Sequence, residues 1–341
     1  MKQFLFTTEE PVVVDYCSIL SVRKTHEAIK YIKDAFEKCL SESLNLSRVA
    51  APLFLTPESG LNDNLSGWER PVRFKVPSIR REFEIVHSLA KWKRTALKKY
   101  GFKHGEGLYT DMNAIRRDEV LSNIHSFYVD QWDWEKVILA KERNIETLID
   151  TVRVIFDVFK KIESHLATRY PVLEQYLPKE VTFISAQALE HAYPNIAPKE
   201  RENIICKKHK AVFITQIGGI NESGEKHDDR APDYDDWTMN GDLLFFYPVL
   251  DKAIEMTSMG IRVNSERLVT QLKEAKCEER LQLKYHQEVL NNQLPLTIGG
   301  GLGQSRMCMY LLGKVHIGEV HPSIWDEKTI QQCEKAGIPL L

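Results

Sequence analysis

The chain has 341 residues, 43% hydrophobic and 28% charged, which is the composition of an ordinary globular protein. Its formal charge of −2 gives no overall field that would attract nucleic acid or an anionic membrane surface. No apolar run approaches the ~20 residues of a membrane-spanning helix, and the first residues do not follow a secretory signal pattern. Six scattered cysteines without a C-x-x-C spacing indicate reduced thiols, so we expect a cytoplasmic protein. From the charge and the short apolar runs, we expect no nucleic-acid or membrane partner.

Two amphipathic helices are predicted in the first half of the chain, over residues 21–44 and 144–166, because apolar side chains recur there every three or four positions. Between them, residues 48–55 look extended. Pro52 cannot donate a hydrogen bond to a neighbouring strand, which predicts a sheet edge or a bulge at that point. A helix that leads into an edge strand suits an interface between subunits.

Strands rich in β-branched and aromatic residues are predicted after the second helix, and two further helices follow them. The predicted strands cover residues 181–185, 211–217, 243–249 and 260–263, and the predicted helices cover residues 265–275 and 279–290. Runs of strands with segregated helices favour an α+β fold, an antiparallel β-sheet flanked by helices. Because no linker or repeat divides the sequence, we expect one domain over residues 1–341.

Several enzyme classes lack their sequence motifs in this chain. The glycine fingerprints G-x-G-x-x-G and G-x-x-x-x-G-K-[ST] are missing, as are the nucleophile elbow G-x-S-x-G and the zinc motif H-E-x-x-H. No two of the eleven histidines lie four positions apart. A P-loop, a lipase-type hydrolase and a zincin therefore have no support.

Three segments carry groups that could bind a nucleotide. The first, TIGGGLGQSR at 297–306, is dense in glycine and ends in an arginine. Glycines let the backbone approach a ligand, and an arginine can stack on a base or hold a phosphate, although a tight turn into a buried helix explains the segment equally well. The other two are basic clusters, KWKR at 91–94 and RRDE at 116–119, and solvated surface explains either of them better when it is taken alone.

Acidic residues crowd the segment HDDRAPDYDDW at 227–237 and continue at Asp242 and Glu255. Carboxylate oxygens are hard ligands of the kind that Mg²⁺ accepts beside the phosphates of a nucleotide. A solvated acidic loop explains the run equally well. Asp242, however, opens an apolar strand, and a carboxylate at the edge of a buried strand needs a partner.

The segment YVDQWDWE at 128–135 mixes acidic and aromatic residues. If it is extended, alternation places Gln131, Asp133 and Glu135 on one face and Asp130 with the two tryptophans on the other. A polar face inside a closed pocket could hold a small zwitterion. A solvated outer face is the more frequent explanation of such a pattern.

Seven segments, taken in order, closely resemble the aspartate-ammonia ligase family, asparagine synthetase type A, over nearly the whole chain. They are DNLSG at 63–67, HSLAKWKR at 87–94, GEGLY at 105–109, DQWDWE at 130–135, RAPDYDDW at 230–237, SMGIR at 258–262 and GGGLGQSR at 299–306. The family is similar in fold to the catalytic domain of class II aminoacyl-tRNA synthetases and works as a homodimer. One departure is visible between Trp237 and Asn240, where the bacterial members carry a longer loop.

The resemblance also divides the chain. Residues 1–20 correspond to an N-terminal extension, and the helix and strand over residues 21–55 resemble the class II dimer motif. Residues 116–119 resemble the second class II motif, and residues 299–306 resemble the third. A homodimer with one active site per chain is the assembly that this implies.

The reaction implied by the resemblance has two steps. The β-carboxylate of L-aspartate attacks the α-phosphate of Mg-ATP, which gives β-aspartyl-AMP and pyrophosphate, and ammonia then displaces AMP to give L-asparagine. A carboxylate is a poor acceptor for ammonia, whereas a mixed anhydride carries a good leaving group. The work left to the protein is positioning, charge neutralisation and exclusion of water.

The residues expected to bind ATP and Mg²⁺ follow from the matched motifs. Arg116 is expected to clamp the α-phosphate and Arg306 to stack on the adenine, because a guanidinium fork suits both tasks better than an ammonium group. The full ATP-binding set is Arg116, Glu119, Asp235, Gly299, Gly300, Gly301 and Arg306. The carboxylates expected to hold Mg²⁺ are Asp242 and Glu255.

The same motifs imply the residues that bind aspartate and ammonia. Lys93 and Arg262 are suited to a substrate carboxylate. Asp133, Ser88 and Ser258 are suited to the substrate ammonium group and its remaining hydrogen bonds. Asp63 and Gln131 complete the catalytic set with Arg116; we expect them near the β-carboxyl and the incoming ammonia, where Asp63 could bind ammonium and accept a proton.

Three other functions compete with this interpretation. A synthetase-like enzyme that transfers aspartate or asparagine to tRNA would be expected to carry an anticodon-binding domain and a basic RNA face, and neither is evident. A glutamine-dependent amidotransferase needs a nucleophilic cysteine, often at the mature N-terminus, and the first cysteine here is Cys17. An inactive paralogue with a binding or regulatory role would be expected to have lost key residues, yet Arg116, Asp242, Glu255 and Arg306 are all present.

Overall fold

The structure is a computed structural model that describes residues 4–5, 12–13 and 16–341. Its strands are β1 (Phe4–Leu5), β2 (Val12–Val13), β3 (Leu46–Arg48), β4 (Phe54–Leu55), β5 (Arg73–Val76), β6 (Arg81–Ile85), β7 (Gly107–Ile115), β8 (Tyr128–Val137), β9 (Thr182–Ser185), β10 (Ala211–Thr215), β11 (Asp235–Tyr247), β12 (Lys252–Arg262) and β13 (Thr297–Gly303). Its α-helices are α1 (Val22–Leu44), α2 (Ala90–Tyr100), α3 (Ile145–Arg169), α4 (Ala186–Ala192), α5 (Pro198–His209), α6 (Ser265–Glu274), α7 (Lys284–Leu290), α8 (Gln304–Leu311) and α9 (Glu327–Ala336). Short 3-10 helices cover residues 57–59, 140–142, 278–282 and 317–319. Most of the predicted N-terminal extension lies outside the described residues.

A sheet of eight strands forms the centre of the molecule, in the order β3, β7, β8, β13, β12, β11, β10, β9. Neighbouring strands are antiparallel except at the two edges, where β3 runs parallel to β7 and β9 runs parallel to β10. Strands β4, β6 and β5 form a separate antiparallel sheet. The predicted α+β architecture around an antiparallel sheet flanked by helices is confirmed.

Helix α1 lies where the periodicity predicts it, and its ends carry capping groups. The Ser21 hydroxyl accepts a hydrogen bond from the backbone N–H of Lys24 at 3.5 Å, and Asn45 ends the helix in the left-handed conformation with φ 58°. The buried residues Ile32 and Phe36 lie on the stripe that the sequence pattern indicated. The second predicted helix is likewise confirmed as α3.

These two helices cover one face of the central sheet. Phe36 of α1 stacks on Trp132 of β8 with ring centroids 5.1 Å apart, and it meets Phe159 of α3 edge-on at 4.9 Å. Such aromatic contacts add to the large apolar area that each ring buries. Because side chains alternate along β8, Gln131 and Asp133 point to the opposite face of the sheet. The alternation predicted for residues 128–135 is therefore confirmed.

Two predicted strands begin earlier than the sequence pattern indicated: residues 243–249 belong to β11, which begins at Asp235, and residues 260–263 belong to β12, which begins at Lys252. Asp242 therefore lies inside a strand and does not open it.

Two other predicted elements are interrupted. Residues 48–55 are not one strand. β3 ends at Arg48, β4 begins at Phe54, and the two strands belong to different sheets. Pro52 lies in the irregular segment between them, where it need not donate a hydrogen bond. The helix predicted over residues 279–290 is a 3-10 turn followed by α7, because Leu283 adopts an extended backbone with ψ 148°. Both differences are local breaks that hydrophobic periodicity does not reveal.

The structure also bears on thiols and membranes. All six cysteines have free thiols, which agrees with the scattered spacing in the sequence. In the part of the chain that the structure describes, no helix combines the length and apolar character needed to cross a membrane.

Candidate active site

A cleft of about 550 Å³ opens at the sheet face opposite α1 and α3. It collects nearly all the residues that the sequence singled out for catalysis and binding. Those that line it are Asp63, Ser88, Lys93, Arg116, Glu119, Gln131, Asp133, Asp235, Glu255, Ser258, Arg262, Gly300, Gly301 and Arg306. The two that do not line it are Asp242 and Gly299, which lie beneath its surface.

One part of the cleft is rich in arginine. Arg116 follows β7, and its guanidinium lies 4.0 Å from the Glu119 carboxylate, the Arg-x-x-Glu partner noted in the sequence. Arg306, in the first turn of α8, donates to the backbone carbonyl of Glu255 at 2.9 Å. Burial and the nearby Arg306 cation lower the pKa of His125 to about 3, so this histidine is neutral in the absence of ligand. The arrangement suits an anion.

A second part of the cleft holds a buried lysine. The Lys93 ammonium group donates to the carboxylate of Asp133 and to the backbone carbonyl of Gly300 at 2.9 Å. Burial lowers the pKa of Lys93, although the adjacent Asp133 carboxylate opposes that shift. The second oxygen of Asp133, Oδ2, is buried without a hydrogen-bond partner among the described residues. That oxygen is available to an ammonium group of a ligand.

Arg262 joins two buried carboxylates beside this lysine. Its Nε and Nη2 atoms donate to Glu135 at 3.1 and 3.0 Å, and its Nη1 donates to Asp235. Burial raises the pKa of Asp235, and the Arg262 charge only partly offsets it. Since a guanidinium has five N–H donors, Arg262 retains donors beyond those three bonds.

Asp63 lies in the loop before β5 and contacts Ser88, which precedes helix α2. Its Oδ2 atom accepts a hydrogen bond from the Ser88 hydroxyl at 2.7 Å, and its Oδ1 accepts the backbone N–H of Leu65 at 2.8 Å. Gln131 approaches the same cleft from β8, and a Cβ added at Gly301 would lie 2.7 Å from the Gln131 side-chain oxygen. A side chain at position 301 would therefore displace the end of the Gln131 side chain from its place in the cleft.

The two predicted magnesium ligands lie on the neighbouring strands β11 and β12. Asp242 pairs through one carboxylate oxygen with Arg230, while its Oδ1 is buried and has no hydrogen-bond partner in the described part of the chain. Burial raises the pKa of Asp242 to about 8, although the charge of Arg230 opposes that shift. Burial also acts to raise the pKa of Glu255, but the charges of Arg306 and Arg230 outweigh it and lower that pKa. No group of three or more histidine, cysteine or acidic residues is placed to hold a metal ion within the described ranges. Two carboxylates with one free oxygen fit Mg²⁺ when phosphate oxygens and water supply the remaining ligands.

The glycine-rich segment is a strand and not a tight turn. Residues 297–303 form β13, which pairs with β8 and β12, and α8 begins at Gln304. A Cβ at Gly299 would lie 2.6 Å from both Arg262 Nη2 and Glu135 Oε2. The structure gives Gly299 a packing role beneath the cleft, and its predicted contact with ATP stays a prediction.

The sequence analysis assigned no role to several residues of the cleft, among them Arg230, Tyr234 and His125. Arg230 also donates to the Ser258 hydroxyl at 3.2 Å, which links the acidic segment to β12. The signal that could have identified it is its position as the one cation inside the acidic run 227–237. A buried cation among carboxylates is expected to pair with one of them.

Comparison with known proteins agrees with the site. The family model described as aspartate-ammonia ligase matches residues 23–337. The aspartate-ammonia ligase of Clostridium perfringens (strain SM101 / Type A) is 60% identical over 328 residues, which cover 96% of this chain and 98% of that protein. The aspartate-ammonia ligase of Fusobacterium nucleatum is 57% identical over 326 residues, which cover 96% of this chain and 99% of that protein.

Solved structures show the fold. An asparaginyl-tRNA synthetase from Entamoeba histolytica superimposes with a TM-score of 0.60 at 14% identity, covering 88% of this chain and 67% of the synthetase. An asparaginyl-tRNA synthetase from Pyrococcus horikoshii, complexed with asparaginyl-adenylate, gives a TM-score of 0.63 at 12% identity, covering 87% of this chain and 68% of the synthetase. The predicted likeness to class II synthetase catalytic domains is thereby confirmed. With the family model matched from residue 23 to residue 337 and relatives of 57–60% identity over nearly their full length, the chain belongs to the aspartate-ammonia ligase family.

Proposed function

We propose that this chain synthesises L-asparagine from L-aspartate, ammonia and ATP through a β-aspartyl-AMP intermediate. The observation that carries the proposal is that six of the seven matched segments contribute side chains to one cleft. Both cations and carboxylates line that cleft, as binding of a zwitterion and a polyphosphate requires. The family membership of the chain supplies the identity of the substrates.

In the first step, an oxygen of the aspartate β-carboxylate bonds to the α-phosphorus of ATP, and the bond from that phosphorus to the pyrophosphate oxygen breaks. Arg116 holds the α-phosphate with its guanidinium fork, and Arg306 lies against the adenine. Lys93 and Arg262 bind the α-carboxylate of aspartate. The free Oδ2 of Asp133 accepts from the substrate ammonium group.

In the second step, the nitrogen of ammonia attacks the acyl carbon, and the bond to the AMP oxygen breaks. The attacking nitrogen must lose a proton, and Asp63 is the carboxylate in our proposal that accepts it. The hydrogen bond from Ser88 at 2.7 Å orients the Asp63 carboxylate, and Gln131 orients the incoming nucleophile. The buried walls of the cleft keep water from hydrolysing the anhydride.

Asp242 and Glu255 would hold a magnesium ion beside the phosphates. The ion would offset the negative charge that develops on the phosphate oxygens. The free, buried Oδ1 of Asp242 is the feature of this chain that supports the assignment. In the absence of the ion, Arg230 supplies the positive charge next to that carboxylate.

We also propose that the chain is a single domain that assembles as a homodimer in the cytoplasm. Helix α1 and the segment after it resemble the class II dimer motif, and the six free thiols suit a reducing compartment. Size-exclusion chromatography with light scattering tests the assembly. A mass of one chain at micromolar concentration would contradict the dimer.

The decisive experiment supplies purified protein with Mg-ATP and L-aspartate and compares ammonium chloride with glutamine as the nitrogen source. We expect asparagine, AMP and pyrophosphate in equal amounts from ammonium alone. Exchange of pyrophosphate into ATP that depends on aspartate, without asparagine, would mean that the adenylation site is real but that its acceptor is not ammonia.

The role of Asp63 has its own test, with a matched control. Asp63→Asn removes the proton acceptor, so we expect lower turnover at every ammonium concentration while aspartate-dependent pyrophosphate exchange continues. The control is Asp229→Asn, which changes a carboxylate on the exposed rim of the same cleft, 3.5 Å from Lys226. Unchanged ammonium kinetics in the Asp63 variant would remove this residue from the ammonia step.

A further inference from the structure

Four ionisable side chains form a buried cluster behind the cleft, and none of them lines it. One carboxylate oxygen of Asp233 lies 3.1 Å from the Lys91 ammonium nitrogen, 3.1 Å from His286 Nε2 and 3.5 Å from the Arg280 guanidinium. Asp233 and His286 are fully buried, and Lys91 is 2% exposed. We call this group the Asp233 cluster.

The negative charge of Asp233 holds its three partners beside it. Burial acts to raise the pKa of Asp233, but Lys91, His286 and Arg280 together lower it well below its ordinary value, so the carboxylate is ionised. An ionised carboxylate accepts hydrogen bonds and cannot donate, so His286 donates through Nε2. A charge buried this deeply is tolerated only beside its partners, so Asp233 holds the segments that carry them at fixed distances.

Two of these partners connect Asp233 to segments that carry groups of the cleft. Lys91 is in the first turn of α2, two positions before Lys93. Arg280 extends to the loop of Asp63, because the side-chain oxygen of Asn64, in the amide orientation that satisfies both groups, accepts from Arg280 Nη2 at 3.1 Å.

Asp233 itself lies within the acidic segment 227–237, two positions before Asp235. The Asp235 carboxylate forms the ion pair with Arg262 described above. Two segments that build the aspartate-binding part of the cleft, α2 and the Asp235 segment, therefore meet at the Asp233 carboxylate, and the loop of Asp63 is linked to it through Arg280. Arg116 and Arg306, which the proposed function assigns to ATP, have no contact with the cluster among the interactions of the described residues.

We propose that Asp233 is a positioning residue for the aspartate-binding part of the cleft: it aligns helix α2, the loop of Asp63 and the segment of Asp235, so that their side chains converge on one substrate. This inference rests on the proposed function. It predicts that Asp233 affects the binding of aspartate and not the binding of ATP. A cluster that served stability alone would not make that distinction.

Asp236, three positions after Asp233, provides a matched control. Asp236 is fully buried like Asp233, and it pairs with Arg143 and with Arg267, the latter at 3.2 Å. Neither Asp236 nor its two partners line the cleft. Asp236→Asn therefore breaks a buried ion-pair cluster of similar kind without disturbing the segments that carry Lys93 and Asp63.

The experiment compares the wild-type protein, Asp233→Asn and Asp236→Asn. For each, we would measure the melting temperature and the KM for aspartate and for ATP in aspartate-dependent pyrophosphate exchange. We expect Asp233→Asn to raise the KM for aspartate at least tenfold and to leave the KM for ATP within twofold. We expect both variants to lower the melting temperature by similar amounts. Asp236→Asn, however, is expected to leave the KM for aspartate and the KM for ATP within twofold of the wild-type values.

Two results would overturn the inference: equal changes in both KM values for Asp233→Asn, or the same kinetic changes in both variants in proportion to their loss of melting temperature. If Asp233→Asn does not fold, Arg280→Met replaces it, because Arg280 is partly exposed, and its expected rise in KM for aspartate is partly reversed in Arg280→Lys. A wild-type protein that forms no asparagine would instead contradict the proposed function.

Discussion

Gly299 provides a sharp test of how the glycine-rich strand works. In Gly299→Ala, the new Cβ would lie 2.6 Å from Arg262 Nη2, 2.6 Å from Glu135 Oε2 and 2.8 Å from the Trp134 carbonyl oxygen. Ordinary contact begins near 3.4 Å, so the Arg262 guanidinium must move by about 0.8 Å. The Trp134 carbonyl cannot yield as easily, because β8 and β13 pair at this point.

The size of the effect follows from that displacement. Overpacking of this kind costs about 1–3 kcal/mol of unfolding free energy. A misplacement of about 1 Å in a binding group can lower turnover by about 10²-fold. We therefore expect Gly299→Ala to lower kcat/KM for aspartate by about 10- to 100-fold and to leave the KM for ATP within about twofold.

A control lies in the same strand. The closest atom to a Cβ at Gly303 is 3.4 Å away, so Gly303→Ala is expected to change the unfolding free energy by less than about 0.5 kcal/mol. Urea denaturation and steady-state kinetics on both variants provide the comparison. If Gly299→Ala raised the KM for ATP and left the KM for aspartate unchanged, the packing explanation would be wrong and the direct ATP contact predicted from the sequence would be favoured.

Three further predictions concern single charged groups. Arg306→Met is expected to raise the KM for ATP about tenfold by removing a stacked cation, and aspartate saturation curves recorded alongside should not move. Burial raises the folded-state pKa of Asp242 from 3.8 to about 8, so the stability that this group contributes is fully present below the unfolded pKa and is lost as pH rises through the folded one. In Asp242→Asn, the decline in urea-unfolding free energy between about pH 4 and about pH 8 should therefore be flatter than in the wild type. Asp130 accepts the backbone N–H of Ser305 at 3.0 Å at the start of α8, so Asp130→Ala, which removes the acceptor, should cost at least about 0.5–2 kcal/mol in thermal unfolding, and no change would mean that this hydrogen bond is dispensable.

Much of the fold could be predicted because its helices bury one continuous stripe. In α1 and α3 the helical period alone identifies the side chains that meet the sheet, so Phe36 and Phe159 were placed correctly. The strand at 297–303 could not be predicted in this way. Glycine is rare in strands, and the reason for its use here is the approach of Arg262, Gln131 and neighbouring backbone, which belongs to the tertiary structure.

The residues of the site, too, could be predicted from the sequence only in part. Matched segments indicated the groups that line the cleft, because a motif preserves the residue type and its spacing. The sequence could not indicate that Lys91 pairs with Asp233 across 142 positions, since nothing local marks either residue as buried. Arg230 was hidden for the opposite reason, because the acidic residues around it suggested a solvated loop.

The pairing of charges inside the cleft bears on how substrate is selected. Lys93 already has Asp133 as a partner, and Arg262 already has Glu135 and Asp235, so neither cation is an unpaired charge that would capture any passing anion. A ligand with a carboxylate alone would meet these acidic groups without offering them a donor, and it would be repelled.

A ligand that brings both a carboxylate and an ammonium group behaves differently. Its carboxylate can use the remaining donors of Arg262, while its ammonium group satisfies the free Oδ2 of Asp133. The paired state of the site thus favours an amino acid over a simple dicarboxylate such as succinate. We expect succinate to inhibit only weakly, since an amino acid satisfies the buried carboxylate that succinate would leave without a donor.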